Sequence, residues 1–387
     1  MTQRHIAIVI TARPSYARIK TVIQCLQTES RVRLSVITAA SATVERIGAV
    51  TDIIRRECRV EVIEVNSLTE GSGSSPMALT TASLLSQLTA VFGAIRPDVV
   101  VTIADRHETI ATAIAATYSG IPLAHVQGGE VSGNIDERVR HAITKLADLH
   151  LVASISAHDN VLRLGEEPST IIRTGCPSID VAKVARDRGQ LDFDVFERYG
   201  GVGERIDLSG GYLVVLHHSV TTETSHARRH TEDLLQAIVK SELPTLWFWP
   251  NVDAGADGTS KAIRSFRESQ GTPRIHFFKN MTPEDFLVVV NNSIGLIGNS
   301  STGVRECSFL GVHAVDIGSR QAGRERGANV IHIESDVREI LDAISSLRER
   351  ERPTASTLYG DGEAGPRIAN CLTTFKFRPT KRLHSSM

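Results

Sequence analysis

What the chain lacks narrows its chemistry first. Neither sign of charge is in excess. Lys and Arg number 43 against 44 Asp and Glu, for a formal net charge of -1, so neither nucleic acid nor an anionic membrane surface is an expected partner. No apolar run is expected to be long enough to cross a bilayer. The opening residues, MTQRHIAIVITARPS, lack the long apolar stretch of a secretory leader and run into Arg13-Pro14; they read as a first β-strand. The five cysteines (Cys25, Cys58, Cys176, Cys307 and Cys371) are scattered, with no CxxC pair and no metal-ligand spacing. An odd, scattered set points to reduced thiols in the cytoplasm and to no metal. The loop after the first strand, TARPSYAR, has no GxGxxG, so a nicotinamide cofactor has little support.

What remains is an alternation of strands and helices. The chain's 387 residues are too many for one typical core, and 41% hydrophobic with 22% charged residues is ordinary globular composition. Near-continuous Val/Ile runs predict strands buried on both faces at 6–11, 34–38, 60–65, 99–103, 122–126, 149–152 and 171–174. Helical patterns fall between them at 17–26, 44–55, 78–95, 109–118 and 135–147. Residues 70–76 (EGSGSSP) read as a flexible loop. A charged, Gly-rich stretch at 181–211 reads as a connection. Alternation resumes with strands at 212–216, 245–249, 275–277, 294–297, 314–317 and 330–333. The helices of this half are expected at 226–240, 260–270, 283–291, 303–310 and 337–348. The expected architecture is therefore α/β, two Rossmann-like doubly wound domains: 1–180, then a connection, then 212–365, with a C-terminal helix and frayed basic tail at 366–387. Facing each other, such domains put the carboxyl ends of both sheets around one cleft.

The polar residues concentrate where strands end. HVQGGEVSGNIDERVRHAITKLAD (125–148) passes from a strand through Gly128-Gly129 into a helix, and carries Gln127, Glu130, Asp136 and Glu137 at the turn. An ordinary loop with Glu137 paired to Arg140 or His141 would look similar. Arg13 and Arg18 flank a helix start, a setting that suits a phosphate. Asp105-Arg106-His107-Glu108 packs two acids, an Arg and a His behind a buried strand, more than an N-cap requires. His217-His218 follows the first strand of the second half, where a histidine contacts an anion or moves a proton. FWPNVDAG places Asn251 at another strand end. GNSSTGVRE offers Ser300 and Ser301 at a helix start, an anion site, with Glu306 one turn on to accept from ribose hydroxyls. Arg320, in GSRQAGR, adds a cation to the same rim. Together these suggest a nucleoside diphosphate held by the second domain, with acids of the first facing the sugar it carries.

The strings HVQGGEVSG, VRHAITKLAD, TGCPSID, GNSSTGVRE, GSRQAGRERGANV and YGDGEAGPRI resemble the hydrolysing UDP-N-acetylglucosamine 2-epimerases, in consistent order from Ile8 to about Ile368. The resemblance implies a glycosyltransferase-B-like fold, a homodimer or homotetramer, and no metal or nicotinamide cofactor. It implies that UDP leaves C1 as a base takes the C2 proton, and that water then adds at C1 and a proton at the other face of C2. By position, Asp105 matches the catalytic aspartate, Glu137 or its neighbour Asp136 a second acid, and Arg106 a phosphate contact. His218 matches the histidine near the diphosphate, and Asn251, Ser300, Ser301, Glu306 and Arg320 match nucleotide contacts. Arg13 and Arg18 match first-loop cations. One position departs: the family glutamate of HxEGGE is Gln127 here. A glutamine hydrogen-bonds a sugar hydroxyl but is no base. The leading expectation is hydrolysis and epimerisation of a UDP-N-acetylhexosamine. The alternatives are a modified sugar or outcome, and an inactive nucleotide-sugar-binding protein.

Overall fold

The computed structural model describes residues 3–384 apart from 45–49, 72–73, 132–134, 221–222, 224, 251–255, 271–273 and 379. Apolar β-branched runs become two all-parallel sheets. The first comprises β1 (Arg4–Ile10), β2 (Val32–Ala39), β3 (Glu61–Val65), β4 (Val99–Ile103), β5 (Leu123–Val126), β6 (Leu149–Val152) and β7 (Ile171–Arg173). The second comprises β8 (Leu213–Leu216), β9 (Thr245–Phe248), β10 (Ile275–Phe278), β11 (Gly295–Gly298), β12 (His313–Ile317) and β13 (Val330–Ile333). Their orders are β3-β2-β1-β4-β5-β6-β7 and β10-β9-β8-β11-β12-β13. Parallel strands need crossovers, which helices supply.

Those of the first half are α1 (Arg13–Ala17), α2 (Lys20–Leu26), α3 (Val50–Glu57), α4 (Ser74–Ile95), α5 (Thr109–Tyr118), α6 (Ile135–Leu146) and α7 (Ile155–Arg163). Then come α8 (Pro177–Arg188), α9 (Val195–Tyr199), α10 (Ala227–Ser241), α11 (Ala256–Gln270), α12 (Pro283–Asn291), α13 (Ser301–Val304), α14 (Glu306–Leu310), α15 (Val337–Leu347) and α16 (Ala364–Thr374). Each expected strand forms. The sequence predicts one helix at 17–26, and two form, because Pro14 starts a turn at α1 that ends at Arg18. Likewise α13 and α14 divide the helix expected at 303–310. Residues 45–49, within the helix expected at 44–55, lie outside the described residues.

Contacts divide the chain into two units, 1–131 with 135–180 and 359–387, and 181–358 (with 132–134). Two boundary expectations change. The stretch 181–211 is no free connection but part of the second unit: Asp285 accepts from Arg188, Arg198 and Tyr199 at 2.9, 2.9 and 2.6 Å, and the Phe196 ring packs 4.8 Å from that of His276. Residues 359–365 join the first unit rather than the second. There α16 buries Ile368 and Leu372 in the core of β1, β2 and α2. Asp180 caps its start, accepting from the backbone N–H groups of Ala364 and Gly365 at 2.8 and 2.6 Å and from Thr21 at 2.8 Å.

Three further expectations are corrected. The tail is anchored, not frayed: Lys381 pairs with Glu166 at 2.6 Å and donates to the carbonyls of Thr144 and Ala147 at the end of α6. Second, the segment 75–95 is long and apolar enough to cross a membrane by length and composition. Ser74–Pro76, expected in a loop, begin this helix. α4 lays Leu84, Leu88 and Phe92 against the first sheet.

Candidate functional site

Each sheet reverses its strand order once, between β1 and β4 and between β8 and β11. Loops leaving the carboxyl ends at such a reversal diverge and open a crevice for a ligand.

In the first unit, Arg13 and Arg18 lie partly buried on and just after α1. At the neighbouring strand ends, two non-glycine residues take left-handed backbone conformations, Ala104 (φ 60°) after β4 and Gln127 (φ 66°) after β5. Each such residue costs about 1–2 kcal/mol. Strain of this kind gathers at functional turns. Ladder bonds hold both turns: Ala104 N donates to Val126 O, and Gln127 N to Leu151 O, at 2.9 Å each.

Asp105 follows at once and is ion-paired with Arg140 of α6, whose side chain is 1% exposed. Arg140 also donates to the carbonyl of Glu130. One buried guanidinium thus fixes both the Asp105 carboxylate and the turn that carries Glu130. Arg106, matched above to a phosphate contact, donates to Glu108 at 2.8 Å, and His107 lies 3.0 Å from the same carboxylate. Burial works against the Glu108 charge, but Arg106 and then His107 overcome it and hold the carboxyl well below the usual range. Behind the turn, His125 bridges Ala104 O (2.9 Å) and Thr144 Oγ1 (3.3 Å). Burial pushes its pKa down to about 4, so it is neutral scaffold at neutral pH.

Gln127 is 1% exposed, and its Nε2 donates to Cys176 Sγ while Oε1 is buried without a hydrogen-bond partner among the described residues. At Gly129 (φ 79°) a Cβ would stand 2.2 Å from Ala157 O, so only glycine lets the loop lie on α7. Glu130 is buried. Asp136 and Glu137 occupy the first turn of α6, where carboxylates suit the helix dipole; Glu137 lies 3.8 Å from His141.

In the second unit, Gly298 (φ 139°) brings the end of β11 so close to β8 that a Cβ would meet Leu216 O at 2.3 Å. The Asn299 side chain then clasps the next loop: Oδ1 accepts from His218 N and Nδ2 donates to His218 O, both at 2.8 Å. Its own carbonyl accepts from Gln321 Nε2 (2.8 Å) and Arg320 (3.2 Å). The loops after β8, β11 and β12 are therefore tied together at Asn299. His217, beside His218, is buried, and burial with nearby His230 and Arg320 pushes its pKa down to about 3. Ser300 caps α13, accepting from Thr302 N at 3.3 Å. Glu306 is 8% exposed, and its Oε2 is buried with no hydrogen-bond partner among the described residues. A buried carboxylate oxygen one turn beyond two serines is an acceptor awaiting donors.

Asn251 lies outside the described residues. Arg140, Cys176 and Asn299 are the neighbours that sequence reasoning passed over as site residues. Arg140 carried a signal: it sits three and four positions beyond Glu137 and Asp136, on the same helix face. Cys176 carried none, since 49 residues separate it from Gln127. Among the described residues no group of three or more His, Cys, Asp or Glu is placed to hold a metal ion.

Comparison with known proteins gives a consistent result. The profile of the family described as UDP-N-acetylglucosamine 2-epimerase matches residues 24–373. The chain is 32% identical over 301 residues to the UDP-N,N'-diacetylbacillosamine 2-epimerase (hydrolyzing) of Legionella pneumophila, covering 78% of this chain and 77% of that one. It is 26% identical over 362 residues to the UDP-N-acetylglucosamine 2-epimerase of Neisseria meningitidis, covering 93% and 92%. The crystal structure of the Neisseria meningitidis UDP-GlcNAc 2-epimerase bound to UDP-GlcNAc superposes with a TM-score of 0.78 at 17% identity, over 95% of this chain and 99% of that one. The fold is glycosyltransferase-B-like.

Proposed function

Since the chain belongs to the UDP-N-acetylglucosamine 2-epimerase family, we propose that it is a hydrolysing member, converting UDP-N-acetylglucosamine or a related UDP-HexNAc with water into UDP and N-acetylmannosamine or the corresponding 2-epimer. The observation that carries this reading is Glu306 Oε2, a buried oxygen with no hydrogen-bond partner among the described residues, at the start of the helix that follows the Ser300-Ser301 turn. It suits the vicinal hydroxyls of a ribose, and the serine turn suits a diphosphate. His218 and Arg320, both tied to Asn299, with Arg13 of the first unit, stabilise the charge that develops as UDP leaves C1. Asp105 and Glu137 handle the C2 proton, removing it during elimination and returning one to the opposite face as water adds at C1. Arg18, Arg106, Glu130, Asp136 and Asn251 contact the sugar nucleotide. The hydrolysing outcome is supported by the likeness to the Legionella enzyme. The free cysteines suit the cytoplasm.

The test is a product assay in deuterated water with UDP-N-acetylglucosamine. UDP and the free 2-epimer should appear together, with deuterium at C2. Absence of UDP with every UDP-HexNAc offered would sink the reading.

A second reading is favoured by Gln127, which cannot transfer a proton: the substrate is a 2-acetamido sugar modified elsewhere on the ring, as the name of the Legionella relative describes for that protein. Faster turnover of a 2,4-diacetamido sugar nucleotide than of UDP-N-acetylglucosamine decides for it. An unchanged C2 configuration by NMR rules out epimerisation in either case.

We further propose a homodimer or homotetramer, as the family resemblance implies; sedimentation that finds only monomer refutes it.

A further inference from the structure

We propose that Cys176 is a positioning residue for Gln127, and that the pair presents the Gln127 carbonyl oxygen as a fixed acceptor for a hydroxyl or amide N–H of the substrate's sugar. This rests on the nucleotide-sugar reading above.

A primary amide carries two donors and one acceptor oxygen, and its two ends differ little in shape. Which end faces a ligand is set by what the other end binds. In this chain the Nε2 end is taken by Cys176 Sγ. Cys176 is fully buried, and its Sγ lies 2.9 Å from Ser178 Oγ. A thiol that donates to the Ser178 hydroxyl turns its sulfur lone pairs to the amide, which matches the N–H end of Gln127 facing it. The cysteine is itself held, since its backbone N–H donates to Tyr359 O at 2.8 Å. The glutamine backbone is fixed in turn by its bond to Leu151 O and its left-handed conformation.

That leaves Oε1, buried and without a hydrogen-bond partner among the described residues, on a residue 1% exposed at the carboxyl end of β5. Buried carbonyls are almost always satisfied. One kept unsatisfied at a strand end next to Asp105 and Glu130 suits a donor brought by a ligand. Gln127 thereby reads the sugar, and the proton work stays with the carboxylates.

The experiment measures kcat and KM for UDP-N-acetylglucosamine turnover, together with calorimetric affinities for UDP and for UDP-N-acetylglucosamine, in Cys176→Ala, Cys176→Ser and Gln127→Met. Cys176→Ala frees the amide to turn. It should raise KM by ~10-fold, the worth of one misdirected hydrogen bond, with kcat within about 2-fold and UDP affinity unchanged. Cys176→Ser, whose hydroxyl accepts the same N–H, should restore KM. Gln127→Met keeps the volume without the amide and should match or exceed the alanine variant, which keeps the test open if Cys176→Ala does not fold. KM equal to wild type in Cys176→Ala and Gln127→Met overturns the proposal. So does an equal rise in Cys176→Ala and Cys176→Ser, because mere packing predicts it. If wild type releases no UDP, the catalytic reading fails by itself; weakened binding of UDP-N-acetylglucosamine, but not of UDP, in Cys176→Ala still upholds the positioning role, and equal binding refutes it.

Discussion

Asp105 and Arg140 form an ion pair in which the arginine is 1% exposed and the aspartate 15%. The same guanidinium holds Glu130 O, so one side chain meets both the strand-end acid and the glycine turn. Asp105→Asn keeps the shape and removes the base. We expect kcat to fall by ~10²–10⁴ with UDP affinity unchanged, measured by UDP release and calorimetry. Arg140→Met leaves a carboxylate without its counter-charge and should destabilise the protein by about 3–5 kcal/mol in urea unfolding. Retention of more than about a tenth of kcat in Asp105→Asn, outside that expected range, removes this residue from the mechanism.

Glu306→Gln tests the nucleotide loop. The amide is isosteric, but one acceptor oxygen becomes a donor at the proposed ribose site. UDP affinity should weaken by ~10–100-fold, as for a lost bond to a charged group, while the melting temperature without ligand stays the same or rises, since a buried charge is gone. Unchanged UDP affinity places the ribose elsewhere.

Acid should weaken the fold through buried histidines. His125 and His217 have pKa values of about 4 and about 3 in the folded chain, against an ordinary 6.5, chiefly because burial disfavours their charged forms. Between pH 6.5 and about 4 the unfolded chain therefore binds more protons than the folded one. Stability is full above pH 6.5 and falls as pH drops, by about 1.4 kcal/mol per pH unit for each histidine. Urea unfolding from pH 7 to pH 4.5 should show this slope, and His217→Gln should lessen it. An identical slope in that variant contradicts the assignment.

Lys381 is one of three partners of the Glu166 carboxylate, with His150 at 3.0 Å and Lys145 at 2.7 Å. Burial opposes the Glu166 charge, but His150, Lys145 and Lys381 outweigh it and lower the pKa to about 2. Lys381→Ala should cost about 1–3 kcal/mol at pH 7, read as a lower urea midpoint. No change in that midpoint makes the tail contact incidental.

Much of this was legible in the sequence. Runs such as VVVTI have one economical fate, a strand buried on both faces, and strands of that kind separated by amphipathic periods imply parallel sheets. The strand-end loops that carry Asp105, Gln127, His218 and Ser300 follow from the same pattern. Three things were hidden because they depend on distance in space. Arg106, read as a phosphate contact, also pairs with the buried Glu108, and how the two side chains fold onto each other is not set by their spacing. Gln127 gave no sign of Cys176. The stretch 181–211 looked unstructured because its order comes from Asp285 and the rings of His276 and Phe278, not from local periodicity.

The return of α16 to the first unit has a consequence for biosynthesis. During translation the first sheet can be complete in sequence once β7 has emerged, but its core still lacks Ile368 and Leu372, and Asp180 still lacks the two N–H groups it accepts from. The second unit has every strand of its own sheet before residue 359 is made. The half made first is therefore finished last, and a nascent chain stalled before residue 364 leaves uncovered the apolar side chains of α2 on which α16 packs.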